Sequence, residues 1–222
     1  MSSDGRNGRI SPSPTSASRN RKQSVLESAQ VMHPHLARMR RYGAIRFPAS
    51  KHPPAKWACV GPTARPSDLR DLILQTWRVP EPSVLISVTG AAAGVSIPPK
   101  LEQVFRRGLR KAALTTKAWI VTGGTKSGVM ELVGKTVREA DVQVPCIGIA
   151  PWGAVKGFES LEAKHAKVAN YDRVLGLAGG GEAAPPTVGK LRLDPYHSHF
   201  ILYDDGSRGK AAYYKEVKCR QD

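Results

Sequence analysis

Residues 118–140, AWIVTGGTKSGVMELVGKTVREA, join a short apolar run, a glycine-rich turn and a helical pattern. An upstream counterpart begins at Ser83 with SVLISVTGAAAG and leads into a helical stretch, residues 98–114. Glycine lets the backbone come close to a ligand, and a helix start offers unpaired N–H groups and the positive end of its dipole. That combination suits a phosphate-bearing anion. Thr89 and Gly90 form the first candidate cradle. Thr122, Gly123, Gly124, Ser127, Gly128, Val129 and Met130 form the second, with Thr89, Thr122, Thr125 and Ser127 adding hydroxyl donors. Neither turn reads GxGxxG or GxxxxGKS/T, so the dinucleotide and P-loop patterns are absent. The competing reading is that these glycines only make tight β–α connections.

Groups suited to acid–base or nucleophilic chemistry are few. Glu131 lies in the first turn of the second helix, where dipole stabilisation alone accounts for a carboxylate. His197 and His199 precede an apolar run, HFILY, that closes on Asp204-Asp205-Gly206. Strand alternation places both histidines on one face, with Asp204 far along the chain, so strand-end polar groups and a turn describe them better than a catalytic pair. No catalytic residue and no metal site is expected. Cys59, Cys146 and Cys219 show no CxxC or Cys/His spacing, which fits a reducing compartment. His33 and His35 read as accidental neighbours in a polar stretch.

The elements that position the turns follow from the hydrophobic pattern. Residues 84–88 read as a buried strand; Pro98 and Pro99 suit the first turn of a helix whose apolar stripe is Leu101, Val104, Phe105, Leu109, Ala112 and Ala113. Residues 119–121 form the next strand. A helix from Gly128 turns Val129, Met130, Val133 and Val137 inward. Residues 144–150 are a third strand ending at Pro151-Trp152-Gly153, and residues 199–203 a fourth. Before them, Ser67 or Asp68 caps a helix carrying Leu69, Leu72, Ile73 and Trp77. This alternation implies an α/β domain with a parallel sheet.

Composition frames the domain. The net charge of +16 on 222 residues suggests an anionic partner, yet eleven of the 34 Lys/Arg precede Trp57 against only Asp4 and Glu27. Residues 1–56, rich in Ser, Pro and Arg, read as a disordered basic tail. Within it, Ser11-Pro12, Ser13-Pro14 and Ser24 resemble phosphorylation sites. Aromatics make up 6%, and the tail holds only Tyr42 and Phe47 among its eleven basic residues, so no nucleic-acid partner is expected. No apolar window is long enough to span a bilayer. The folded domain is residues 57–222, with a flexible insertion at about residues 156–193 around Gly179-Gly180-Gly181 and Pro185-Pro186. The chain stops before another helix and strand, so the domain is expected to be incomplete at its C-terminus.

LISVTGAAAG, PPKLEQVFRRGLRKAALTTKAWIVTGGTKSGVMELVGKTVREA, CIGIAPWGAV and HSHFILYDDGSRGK occur in the order seen in one family. They resemble the amino-terminal SLOG domain of melastatin-type transient receptor potential (TRPM) cation channels, from about Trp57 to Gly209. The resemblance implies a Rossmann-like, three-layer SLOG fold and a regulatory, ligand-sensing and assembly role in a calcium-permeable channel. It also implies tetramers with other TRPM-type subunits, homo- or heteromeric. The place is the cytosolic face of a membrane, reached only through a full-length channel. No cofactor is required; an ADP-ribose-like adenine nucleotide is the implied ligand. It would be held by the two turns together with Trp152 and Gly153 at the third strand's end. Three departures stand out: Ala91 where the family has a second glycine, Lys117 where it commonly has glycine, and residues after Gly209 that do not match. The alternative is a stand-alone SLOG-type nucleotide-binding or nucleotide-processing protein, against which the absence of a PGGxGTxxE segment counts.

Overall fold

Seven strands form one sheet in the order β3-β4-β5-β7-β2-β1-β6. They are β1 (Met39–Arg46), β2 (Ala55–Val60), β3 (Leu85–Ser87), β4 (Trp119–Thr122), β5 (Cys146–Pro151), β6 (Val168–Asn170) and β7 (His199–Tyr203). The structure is a computed structural model, and it describes residues 36, 38–48, 50–90, 97–138, 144–158, 161, 168–171 and 191–208. Helix α1 (Pro66–Asp71) runs on as a π-helical turn, Leu72–Thr76, while α2 (Pro99–Thr116) and α3 (Gly128–Arg138) follow β3 and β4. All neighbouring strands are parallel except β1 and β2. The expected parallel sheet is therefore mixed. A strand added next to its chain neighbour through a short connection has to run antiparallel.

Adjacent residues of each strand point to opposite faces, and the cores follow that alternation. Trp57, Cys59, Phe200 and Leu202 pack on one face with Trp152, Leu161 and Tyr171. Ala58, Val60, Ile147 and Ile201 pack on the other with Leu72, Ile73 and Trp77. Helix α3 lays Val133 and Val137 on Ile120 and Cys146, giving helix, sheet and helix as three layers. This is an α/β, Rossmann-like architecture. Asp68 accepts the Arg65 N–H at 3.0 Å and pairs with Arg38 at 3.1 Å, so the carboxylate three residues into α1 fixes its start. Arg65, not Ser67 or Asp68, takes the cap position.

Several expectations are corrected. Strand β1 and the start of β2 lie inside the segment assigned to the basic tail, because the MRRYGAIR pattern gains its partners only by pairing with β2 and β6. The rest of that tail, with its serine sites and His33 and His35, lies outside the described residues. Strand β3 is a sheet edge with Val84 and Leu85 exposed, not a buried strand. Helix α2 buries only Ala113; Leu101 and Val104 of its apolar stripe face solvent because nothing described packs over that edge. Within the expected insertion, β6 pairs with β1 and Tyr171 is buried, its hydroxyl oxygen accepting the Leu193 N–H at 2.8 Å. Gly179-Gly180-Gly181, Pro185-Pro186, Ala91, Cys219 and the chain after Arg208 lie outside the described residues. Lys117 ends α2 at φ 50, the left-handed conformation that glycine adopts most readily.

Candidate ligand-binding turns

The second turn is fastened to the chain before β7. Gly124 sits at φ +66, and a Cβ there would lie 2.6 Å from the Gly148 Cα of β5, so only glycine fits. Its N–H donates to Thr122 Oγ1 at 2.9 Å. Thr122 Oγ1 lies 2.7 Å from His197 Nε2, and His197 Nδ1 lies 2.7 Å from Asp194 Oδ2. Backbone bonds close the loop: Asp194 N–H donates to Gly124 carbonyl at 3.0 Å, and Lys126 N–H to Arg192 carbonyl at 2.7 Å. Gly134 of α3 leaves the space that the Asp194 carboxylate occupies.

Asp194 and His197 are fully buried. Burial raises the Asp194 carboxyl above its ordinary range, against the hydrogen bond and charge of His197. Burial alone would lower His197, but Cys146 and Asp194 push it the other way, up to about 10. Both directions have one origin: the pair keeps a proton in a site closed to water. Asp194 Oδ1 has no partner among the described residues, so the charge is costly to hold there.

Asp, His and a hydroxyl in line share the connectivity of a hydrolytic triad. Here the hydroxyl already accepts the Gly124 N–H, and Thr122 is only 4% exposed. No substrate carbonyl reaches it. The network clamps the turn instead. Thr122, Gly123 and Gly124 are therefore buried struts, not open donors.

What stays available lies one step further. Thr125 Oγ1 and Ser127 Oγ are 3.0 Å apart, Ser127 is half-buried, and α3 begins at Gly128 with φ +50. The N–H groups of Gly128, Val129 and Met130 have no intrahelical acceptors, as in the first turn of any helix. Val129 is half-buried and Met130 is buried. Thr89 and Gly90 are exposed, and a Cβ on Gly90 would lie 3.0 Å from Val129 Cγ1. The two turns thus meet at the carboxyl ends of β3 and β4, where open α/β sheets bind ligands.

Trp152 and Gly153 do not face a ligand. Trp152 is wholly buried in a 3-10 turn, stacked on Trp57 with centroids 5.6 Å apart and edge-on to Phe158. Gly153 is glycine because a Cβ would run into the Ser207 carbonyl. Three cavities of 530, 440 and 250 Å³ are lined by none of the eleven candidate residues. Among the described residues no His, Cys, Asp or Glu cluster could hold a metal, and no helix is long and apolar enough to cross a membrane.

Sequence reading missed Asp194. His197 and His199 point to opposite sides, His197 to Phe200 and His199 to Trp77, because the chain bends at Ser198 before β7 begins. The signal was DPYH: an Asp-Pro turn brings a side chain back to the residue three positions on. Asp204 instead binds Arg40 at 2.7 Å and Arg208 at 2.8 Å.

A mostly parallel sheet with paired glycine turns at its carboxyl edge defines an α/β, Rossmann-like class of fold. Comparison then fixes the family. A model described as SLOG in TRPM matches residues 55–222, and the chain belongs to that family. It is 45% identical over 146 residues to a transient receptor potential cation channel subfamily M member-like 2 of Nematostella vectensis, covering 63% of this chain and 9% of that protein. It is 34% identical to human subfamily M member 7 over 90% of this chain and 10% of that one. Mouse subfamily M member 2 is 37% identical over 81% of this chain and 12% of its own length. The chain spans about a tenth of the length of the curated relatives it matches.

Proposed function

We propose that this domain is the ligand-sensing and assembly part of a TRPM-type, calcium-permeable cation channel, that it works at the cytosolic face of the membrane, and that it is not an enzyme. The observation that carries the sensing role is the junction of Thr89-Gly90 with the open start of α3, held in place by the Asp194–His197–Thr122 clamp. An ADP-ribose-like nucleotide places its pyrophosphate against the N–H groups of Gly128, Val129 and Met130, with Ser127 as a hydroxyl donor. Thr122 acts only through the turn it holds. The closed position of its hydroxyl supports recognition over hydrolysis.

Assembly with other TRPM-type subunits is supported by the β3 edge, which has no strand on its outer side among the described residues. Leu85 (58% exposed), Leu101 (58%) and Val104 (68%) expose large apolar side chains on β3 and the helix that follows it. Such edges are usually covered in the working protein. Calorimetry of the full chain with ADP-ribose tests the sensing role: saturable binding that is lost on Ser127→Ala plus Val129→Pro supports it, and a flat titration of the unmodified, folded chain removes it.

A further inference from the structure

A second cleft lies at the opposite end of the sheet, where β2, β5 and β7 begin. It has a volume of 440 Å³ and is walled by Trp77 and prolines from three segments. Lys56, Arg78 and Arg138 line it, with His199 beside them, and no carboxylate is among its lining residues. Three basic side chains in one concavity with no lining anion is an unusual arrangement for a structure that has only itself to stabilise, since like charges brought together repel.

Lys56 and Arg138 are held by backbone carbonyls and not by an acid. Lys56 Nζ donates to the Trp77 carbonyl at 2.6 Å, and Arg138 Nε to the Tyr196 carbonyl at 3.0 Å. Those bonds fix the side chains and, among the described residues, leave two ammonium protons and the two terminal amino groups of the guanidinium for an acceptor from outside the chain. Arg78 has no carboxylate partner among the described residues, and its φ of 55 places a bulky residue in the left-handed region. Glycine would relieve that strain, so the side chain is retained against a backbone cost.

The surroundings register the uncompensated field. Burial and then Arg78 lower Lys56, and burial followed by Lys56 and Arg138 lowers His199 to about 4. At neutral pH His199 is therefore uncharged, its Nδ1 2.8 Å from Ser198 Oγ and its ring 4.9 Å from Trp77.

We propose that this cleft, formed by Lys56, Arg78, Arg138 and His199, is a second anion site that takes a small di- or polyphosphate. The volume falls in the range of small-molecule sites. Three fixed positive charges match a diphosphate better than one carboxylate, and a guanidinium fork suits phosphate oxygens. The site shares no residue with the glycine turns and sits at the other ends of the strands.

The test titrates the full 222-residue chain with inorganic pyrophosphate, reading the His199 ring resonances by NMR and Tm by thermal unfolding. Binding is expected to shift the His199 ring signals and to raise Tm. Arg138→Gln and Arg78→Gly are each expected to weaken pyrophosphate about 10-fold or more, the loss of one charge-assisted contact. Arg78→Gly is also expected to raise the Tm of the unliganded chain by about 2–4 °C, through relief of the left-handed backbone. A purely structural arginine would lower Tm without touching binding. Vesicles bearing phosphoinositide headgroups, run in parallel, separate a lipid source of the same phosphate chemistry from a free one. The proposal is overturned if pyrophosphate leaves His199 unmoved in the unmodified chain, or if the shift survives both substitutions.

Discussion

The two glycine turns look like counterparts in the sequence, yet they are built differently. The second is locked: Gly124 is wedged on Gly148, its N–H is tied to Thr122, and Thr122 leads through His197 to Asp194. The first is open: Thr89 and Gly90 are exposed at the end of an edge strand, touching the second turn at Val129. Under the proposed sensing role, ligand contact falls to the open turn and the helix start, and stability to the locked turn.

The largest difference should appear on adding a single methyl group to each turn. Gly124→Ala is expected to cost about 3–5 kcal/mol in urea unfolding, combining left-handed strain with a backbone clash. Gly90→Ala, which meets only a Val129 methyl, is expected to cost less than about 1 kcal/mol. Equal effects would erase the distinction between the turns.

Breaking the clamp comes next. His197→Ala leaves the Asp194 carboxylate buried without its partner and is expected to destabilise by about 3 kcal/mol. A chain that unfolds as easily before and after the change would show that the relay holds nothing.

The two histidines flanking Ser198 separate by pH. His197 is raised and His199 is lowered to about 4, below the ordinary 6.5. A histidine kept neutral in the fold but protonated when unfolded makes the unfolded state bind more protons between those values. Its contribution is present above about pH 6.5 and is lost as pH falls towards 4. His199→Gln should flatten that acidic limb of a stability-against-pH curve, and an unchanged limb would assign it to other groups.

The smallest expected effect concerns the open edge. Leu85→Lys should change stability by less than about 0.5 kcal/mol because the side chain is already in water. Sedimentation should show weaker self-association if that edge pairs with a neighbouring copy.

Much of this was legible in the sequence. Strand β7 was read to the residue, β4 and β5 to within two, and the α3 face by its helical spacing, because each combines strong periodicity with a glycine or proline boundary. Strands β1 and β6 were not, since β1 carries three arginines in a basic stretch, β6 has only three residues, and both depend on pairing with each other and with β2. At the site, glycine spacing disclosed both turns but not which was locked. That depends on Asp194, which reaches the turn only after the chain has folded back from β6 to β7. Trp152 misled for the opposite reason: a residue at a strand's carboxyl end normally faces ligand, but this one rotates into the core against Trp57.

The central claim is that ligand meets the helix start and the open turn, while the buried relay only holds them. Backbone amide shifts on adding ADP-ribose test it most directly. The account predicts large changes at Gly90, Ser127, Gly128 and Val129, with the Gly124 amide unmoved because it remains bonded to Thr122. Changes centred on Gly124 and His197, or none at all, would contradict it.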